Sequence, residues 1–274
     1  MNVRSLVRRI TPSSLLNFHR KRFAQQSNAR RIAHLEEVRH WHRNAMWMSQ
    51  AGQDLWVYGS VFNEMKDGFF VDLGAHDGIY LSNTFILEQR YHWRGILIEA
   101  NPETFEVLSK NRTACCINAC VSSQVEKVRF LKNSTFGGIV ASDCDNNPGT
   151  DSGVEIEMET VPLESLLDSL SAPSVIEYLS VDIEGAEDRA LLEFPFDRYT
   201  FLSATIERPS EKLCSVLNRN GYRLVCDIPG LDCYYIHESH ADAYFKNTLD
   251  FHRQMLRFQP ERGADAQLYC QSSS

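Results

Sequence analysis

Residues 68–78 read GFFVDLGAHDG, and this stretch decides the fold. A short apolar run ends in an acid, two glycines follow four residues apart, and a polar segment able to start a helix comes next. A continuous apolar run closed by glycine is typical of a strand buried on both faces of a parallel sheet. Gly74 and Gly78 suit a tight strand-to-helix turn, because a missing Cβ lets a ligand approach the backbone. The stretch therefore predicts the first strand–turn–helix of a nucleotide-binding type of fold.

Strands and helices alternate outward from this stretch. The patterns predict strands at 95–99, 114–119, 175–181 and 201–206, and helices at 55–65, 82–90, 102–111, 163–170, 186–192 and 210–219. Apolar and polar residues alternate along 125–131 and 154–160, which predicts the two strands of a hairpin. A long Gly-, Asn- and Asp-rich loop at 133–153 lies between them. Strands near 222–226 and 233–237 have no long helix between them, which predicts an antiparallel pair at one edge. The whole indicates an α/β fold with an open, doubly wound, mostly parallel sheet and helices on both faces.

Charge divides the chain of 274 residues into a basic start and an acidic body. Residues 1–31 carry eight arginine or lysine side chains and no acid, while the remaining 20 basic and 36 acidic side chains leave a net charge of −16. A body this acidic is a poor binder of nucleic acid. We expect a basic, helical N-terminal extension at 1–48, one domain at 49–239, and a C-terminal helix and tail at 240–274.

The basic extension has three interpretations that the sequence leaves open. Val3, Leu6, Val7 and Ile10 form an apolar helical stripe flanked by arginines, and Thr11 begins a second short helix. The segment reads as a docking arm, as a helix that lies on an anionic membrane surface, or as a removable transit peptide.

Cysteine usage and hydropathy predict the compartment. The eight cysteines include no C-x-x-C pair, and no apolar run approaches the length of a membrane span. We expect reduced core thiols in a cytoplasmic protein, with peripheral membrane contact through residues 1–31 as the alternative. The sequence leaves the oligomeric state open.

Polar residues follow the predicted strands at their carboxyl ends, where ligands bind in such sheets. The strand ends bring to one rim Asp72, Gly74, His76, Asp77, Gly78, Glu99, Asn118, Asp182, Glu184 and Glu207. An acid that closes the second strand is the usual partner of ribose hydroxyls, and Glu99 lies at the expected distance after Gly74.

The first turn discriminates between two cofactors. A dinucleotide site needs G-x-G-x-x-G, but His76 stands where the middle glycine would be. Carboxylates at Asp72, Asp77 and Glu99 repel a pyrophosphate and tolerate a cationic sulfonium. S-adenosylmethionine is therefore favoured over NAD.

Read together, several blocks resemble the FkbM family of methyltransferases. They are VDLGAHDG (71–78), SNT (82–84), WRGILIEANP (93–102), VPL (161–163) and SVDIEGAE (180–187), in that order. The resemblance runs from about residue 49 to residue 208. It implies a class I seven-stranded methyltransferase sheet with an antiparallel last strand, S-adenosylmethionine as cofactor, and methyl transfer, usually to a hydroxyl of a sugar or natural product.

The resemblance also assigns roles by position. Asp72, Gly74, His76, Asp77 and Gly78 would form the turn around the methionine part of the cofactor. Glu99 would hold the ribose, with Ala100 and Asn101 beside the adenine and Asn118 near the adenine amine. Asp182 and Glu184 would lie beside the methyl group.

Methyl transfer to an alcohol requires in-line positioning and removal of a proton. Asp182 is the first candidate for the base and Glu184 the second, with His76 and Glu207 in reserve. A divalent ion on Asp182 and Glu184 is an alternative that the sequence does not indicate. Structural roles compete: Asp72 could brace the turn, Asp182 and Glu184 could cap the following helix, and Glu207 could pair with Arg208.

We therefore predict an S-adenosylmethionine-dependent O-methyltransferase whose acceptor is a carbohydrate or a small secondary metabolite. A nicotinamide-dependent oxidoreductase on a similar sheet is one alternative. A catalytically idle member that binds the cofactor or a glycan partner is the other.

Overall fold

The computed structural model describes residues 47–133, 136–146 and 153–248. The helices predicted in the basic extension, and the C-terminal tail, lie outside these residues. Among the described helices none is long and apolar enough to cross a membrane. The seven cysteines in the described ranges are free thiols, three of them buried and four partly buried.

The described chain alternates strands and helices as the sequence predicts. The strands are β1 Phe69–Leu73, β2 Arg94–Glu99, β3 Cys115–Asn118, β4 Cys120–Val121, β5 Lys127–Lys132, β6 Gly138–Ile139, β7 Val154–Val161, β8 Val175–Val181, β9 Thr200–Glu207, β10 Tyr222–Asp227 and β11 Asp232–His237. The helices are α1 Gln53–Leu55, α2 Phe85–Tyr91, α3 Pro102–Asn111, α4 Leu163–Leu170, α5 Glu187–Leu191 and α6 Glu211–Arg219, with residues 241–248 forming α7.

Seven strands form the main sheet in the order β10-β11-β9-β8-β1-β2-β3. Strands β3, β2, β1, β8 and β9 are parallel, whereas β11, the last in sequence, is antiparallel to both of its neighbours. The connections from β1 and from β8 run towards opposite edges of the sheet. A crevice therefore forms between them, at the carboxyl ends of these two strands. The predicted α/β class and the antiparallel last strand are confirmed.

Helices cover both faces of this sheet because alternate residues of its strands point to opposite sides. Val71 and Leu73 of β1 face one core, which α4, α5 and α6 complete. Phe70 faces the other core, which is completed by α2, α3 and the turn after α1. The continuous apolar run of β1 therefore serves two cores at once, as a strand buried on both faces must.

A second sheet carries the predicted hairpin. It has four strands in the order β4-β7-β5-β6, and β5 pairs with β7 from Lys127–Glu159 to Lys132–Val154. Strand β6 lies within a segment, residues 136–146, that returns across the carboxyl ends of the main sheet; we call it the strap. Strands β4 and β6 contain two residues each, which is too short for a detectable period.

The helix predicted at 55–65 is wrong in its form. Three residues of α1 continue as a π-helix over Trp56–Val61, and the helical conformation ends before Asn63 and Glu64, which both have positive φ.

Contacts between the first and last described elements form an aromatic seam. Trp56 packs edge-on against Tyr234 of β11 and Tyr244 of α7. Gln53 donates a hydrogen bond to Asp232 at the start of β11.

Candidate active site

A cavity of about 850 Å³ opens at the carboxyl ends of β1, β2, β8 and β9, with the strap along one side. This volume lies within the range of small-molecule and cofactor sites. Of the residues predicted for the site, those that line it are Asp72, Gly74, His76, Glu99, Ala100, Asn101, Asp182, Glu184 and Glu207. The sheet thus brings most of the predicted set together.

Gly74 is the point where the β1 turn touches the neighbouring strand end. Its φ is +83°, and a Cβ there would lie 1.7 Å from the carbonyl oxygen of Asp182. The amides of Gly74 and Ala75 both donate to the carbonyl oxygen of Ile98, at 3.0 and 3.1 Å. Glycine at this position therefore allows the turn to lie between β2 and β8.

Asp77, Gly78 and Asn118 do not line the cavity. Asp77 accepts hydrogen bonds from the amides of Ile79 and Tyr80, both at 2.8 Å, and so stabilises the turn. Gly78 has φ +80°, and the place of its missing Cβ is taken by side-chain atoms of α3 and the residue after it. Asn118 donates to the carbonyl oxygens of Glu99 and Ala100, at 2.8 and 2.9 Å. In this structure these three residues support the walls of the cavity.

Glu99 joins the first two turns of the sheet. Its carboxylate accepts from the amide of His76 at 2.9 Å and from the amide of Asn101 at 2.7 Å. Burial raises its pKa, and these two hydrogen bonds oppose the rise. A carboxylate has about four acceptor sites, so Glu99 retains capacity for a ligand's hydroxyls. Asn101 also caps α3, because its side chain accepts from the amide of Glu103.

His76 lines the cavity in a left-handed backbone conformation, with φ 48°. Its Nδ1 lies 3.7 Å from the carboxylate of Asp77. The interaction with this carboxylate raises the pKa of His76.

Four carboxyl groups surround the carboxyl ends of β8 and β9: Asp145, Asp182, Glu184 and Glu207. Asp182 is accessible to solvent through the cavity, yet the walls around it remove much of its hydration, and the carboxylate of Glu207 is close enough to act on its charge. Desolvation and the Glu207 charge together hold the pKa of Asp182 well above its ordinary value. Desolvation and the same neighbour raise the pKa of Glu184 to about 7.

Arg208 partly neutralises this cluster. Its guanidinium pairs with Glu207 at 3.0 Å and also with Asp145 of the strap. The ion pair that the sequence offered as a structural role for Glu207 therefore exists, although Glu207 also lines the cavity.

The proposed capping role of Asp182 and Glu184 is wrong. No side chain caps the amino end of α5 at Ala186. Glu187 instead accepts a hydrogen bond from the amide of Ile183 at 3.0 Å, ahead of the helix. Asp182 and Glu184 are left facing the cavity.

Three carboxyl groups have the spacing of metal ligands. Oxygens of Asp145, Glu184 and Glu207 lie within 4.8 Å of one another. The set shares Glu184, but not Asp182, with the pair considered from sequence. Arg208 supplies a cation to two of its members, Asp145 and Glu207.

Sequence reasoning missed several residues of the cavity wall. They are Asn83 after the first turn, Gly138 and Asn146 in the strap, and Arg208. The SNT block contained Asn83, and Arg208 follows a predicted strand end, so both carried a signal. Gly138 and Asn146 had none, because tertiary contacts such as the pairing of β6 with β5 bring the strap to the cavity.

Comparison with known proteins agrees with this architecture. Residues 72–264 match the family described as the methyltransferase FkbM domain. No curated protein matches the chain.

Three solved methyltransferase structures are among those to which the chain is similar. An FkbM methyltransferase from Methylobacillus flagellatus KT is 16% identical, with a TM-score of 0.40 over 66% of this chain and 48% of that one. A TehB-like SAM-dependent methyltransferase from Corynebacterium glutamicum is 11% identical, with a TM-score of 0.37 over 75% and 97% of the two chains. A precorrin-6y C5,15-methyltransferase from Geobacter metallireducens GS-15 is 12% identical, with a TM-score of 0.37 over 70% and 93%.

The family match covers well over half of the chain and includes both turns and all the strand ends that form the cavity. The seven-stranded sheet with its antiparallel last strand is the class I methyltransferase arrangement expected from the sequence. The chain belongs to the FkbM methyltransferase domain family.

Proposed function

We propose that this protein transfers the methyl group of S-adenosylmethionine to a hydroxyl oxygen of a carbohydrate or small secondary metabolite. The observation that carries the proposal is one cavity in which the glycine turn and Glu99 face the carboxyl groups of Asp182, Glu184 and Glu207. One side suits a cofactor and the other suits the activation of an alcohol.

The cofactor side fits S-adenosylmethionine. Gly74 keeps the turn close to the sheet, and Glu99 has free acceptor sites for ribose hydroxyls. Asn83 lines the same wall, and its Oδ1 has no hydrogen-bond partner within the described residues. Such an acceptor suits a donor group of a bound molecule, since a buried polar atom without a partner is costly. The acids Asp72 and Glu99 favour a cationic ligand over a pyrophosphate.

S-adenosylmethionine supplies an electrophilic methyl group on a sulfonium. The protein must hold the acceptor hydroxyl in line and take its proton. Glu184 suits the role of base at neutral pH, because its pKa lies at about 7. Desolvation and the charge of Glu207 raise the pKa of Asp182, and a cation in the cavity would favour its ionised form. We assign proton transfer to Asp182 and Glu184, with Glu207 as the partner of Asp182.

The charges of the wall limit the acceptor. The only lysine or arginine among the described lining residues is Arg208, which is already paired with two carboxylates. A phosphorylated or carboxylated acceptor would meet repulsion there. Tyr80 and Phe136 at the mouth are 58% and 66% exposed, and they offer faces on which a sugar ring or an apolar group can pack. A neutral, hydroxyl-bearing acceptor fits both features.

Titration calorimetry tests the cofactor assignment. We expect S-adenosylmethionine and S-adenosylhomocysteine to bind and NAD not to bind. Glu99→Ala should weaken binding at least about tenfold, because it removes hydrogen bonds made by a charged group. Glu103→Ala is the matched control, since Glu103 lies four residues away, exposed on α3.

Binding of NAD in place of the sulfur ligands would support the oxidoreductase alternative and overturn the proposal. Binding without turnover over a broad panel of hydroxyl acceptors would support an idle member of the family.

A further inference from the structure

Arg112, directly after α3, is a fully buried cation that does not line the cavity. Its Nε donates to Glu88 at 2.7 Å. One terminal nitrogen donates to the carbonyl oxygen of Gly78 at 3.0 Å and to the hydroxyl of Ser82 at 3.2 Å. The other donates to the hydroxyl of Thr84 at 3.1 Å. One guanidinium therefore holds three points of the segment that leads from the glycine turn to α2.

Thr84 connects this cation to the cavity floor. Its Oγ1 accepts from Arg112 and donates to Oδ2 of Asp72 at 2.7 Å, and Thr84 has no exposed surface. Alternation along β1 directs Asp72 to the same side as Phe70, and the guanidinium of Arg112 lies 5.7 Å from the centre of the Phe70 ring. The hydrogen-bond chain thus runs from a buried cation to a carboxyl group that lines the cavity.

We propose that Arg112 and Thr84 are positioning residues that hold Asp72 oriented and ionised for the cationic methionine end of S-adenosylmethionine. The inference rests on the proposed function. The guanidinium of Arg112 can only donate, so the Thr84 hydroxyl accepts from it and keeps its single hydrogen for Asp72. The carboxylate keeps acceptor sites for a ligand after this contact.

The surroundings of Asp72 make this support necessary. Burial raises its pKa, and the hydrogen bonds from Thr84 and Ser180 and the charge of Arg112 oppose the rise. The other titratable groups that act on it or with it are Glu99 of β2 and Tyr178 of β8. Loss of the Thr84 hydroxyl removes a stabiliser of the charged form, so the pKa of Asp72 rises. As the pH is lowered, the affinity for a cationic ligand therefore begins to fall at a higher pH than in the unmodified protein.

The experiment is titration of the full chain with S-adenosylhomocysteine, which keeps the ammonium group, over a range of pH. Thr84→Val should weaken binding about tenfold at neutral pH and more at acidic pH. Thr84→Ser retains the hydroxyl and should stay within about threefold of the unmodified protein. In an Asp72→Asn background, Thr84→Val should have little further effect, because the two act through one contact.

Each outcome decides the matter. Unchanged binding of Thr84→Val at every pH overturns the inference. A second result would also overturn it: Thr84→Val weakens binding by the same factor at every pH, and this loss of affinity adds fully to the loss caused by Asp72→Asn. A purely structural role of Thr84 would give that result. If Thr84→Val fails to fold, Arg112→Lys is the second variant. It keeps the positive charge but not the branched set of guanidinium donors, and it should give the same pH-dependent loss of affinity. If the unmodified protein does not bind S-adenosylhomocysteine, the proposed function fails and this inference with it.

Discussion

Gly74 shows how one missing Cβ places a turn. Its neighbour across the sheet is a backbone carbonyl, so no side-chain rotation can make room for a methyl group. Its left-handed φ adds a second cost for any other residue. Gly52 has a similar φ of +81° but open space around its Cβ position. Comparing Gly74 with Gly52 therefore separates the free-energy cost of a left-handed backbone from the cost of a steric clash at the Cβ.

Gly74→Ala should lower the free energy of unfolding by more than about 3 kcal/mol, because the backbones of β1 and β8 must move apart. Gly52→Ala should cost only about 1 kcal/mol, the conformational part. Urea denaturation of both variants measures the difference. Equal losses would mean that the turn accommodates a methyl group, against the geometry described above.

The strap is held to the rest of the protein by apolar packing of Ile139 and Cys144 and by several polar contacts. Two residues of β6 pair with β5, the amide of Asp145 donates to the carbonyl oxygen of Glu184 at 3.2 Å, and Arg208 pairs with Asp145. Arg189 also pairs with Asp143 at 2.7 Å. Because these polar contacts lie at the partly exposed end of the strap, beside the cavity, they add to the free energy needed to open this wall locally.

Arg208→Met should speed hydrogen exchange in the strap by up to about fivefold, because it removes a pair of ionic contacts at a partly exposed site. Arg198→Met is the matched control, since Arg198 makes an ion pair of 2.7 Å with Asp168 away from the cavity. Exchange mass spectrometry of peptides covering 136–146 reports the effect. The same increase in both variants would show that Arg208 has no special role in the strap.

Elements with a clear hydrophobic period were predictable from sequence. Helix α4 and strand β8 have the predicted bounds, since each has an unbroken pattern and a defined end. The π-helical turn at Trp56–Val61 could not be predicted, because its apolar residues suit an ordinary helix equally well. Strand β6 contains too few residues for any pattern.

The candidate site was predictable to the extent that strand ends determine it. Parallel strands bring their carboxyl ends to one edge, so Glu99, Asp182 and Glu184 were expected to meet. Strand order does not say where a side chain points, and Asp77 and Asn118 turned out to bind backbone atoms instead of facing the cavity. Arg112 was missed altogether, because a charged residue at the end of a helix reads as solvated.

At the scale of the whole molecule, two acids near the carboxyl end of β8 make the stability of the fold depend on pH. Burial and neighbouring carboxylates raise the pKa of Glu184 and of Glu187 to about 7 from ordinary values of 4.5. The folded protein therefore holds protons that the unfolded chain has released. The stability that these groups contribute is present below about pH 4.5 and is lost as the pH rises through about 7.

Glu184→Gln should match the unmodified protein in unfolding free energy at acidic pH and exceed it by about 1–2 kcal/mol at slightly alkaline pH, because glutamine stays neutral in both states. Urea denaturation across this range measures the gain. Glu193→Gln, an exposed change on the surface, is the control and should show no such difference. A gain that did not depend on pH would exclude the charge of Glu184 as its cause.

The position of β11 has a consequence for folding during synthesis on the ribosome. Strand β10 is made before β11 but has β11 as its only partner in the sheet, and β11 also covers the edge of β9. A nascent chain that ends before Asp232 leaves the β9 edge open, and open edges invite pairing with other chains. The aromatic seam, which needs Tyr234, is missing from it as well. Translation must therefore reach the last strand before the sheet can close.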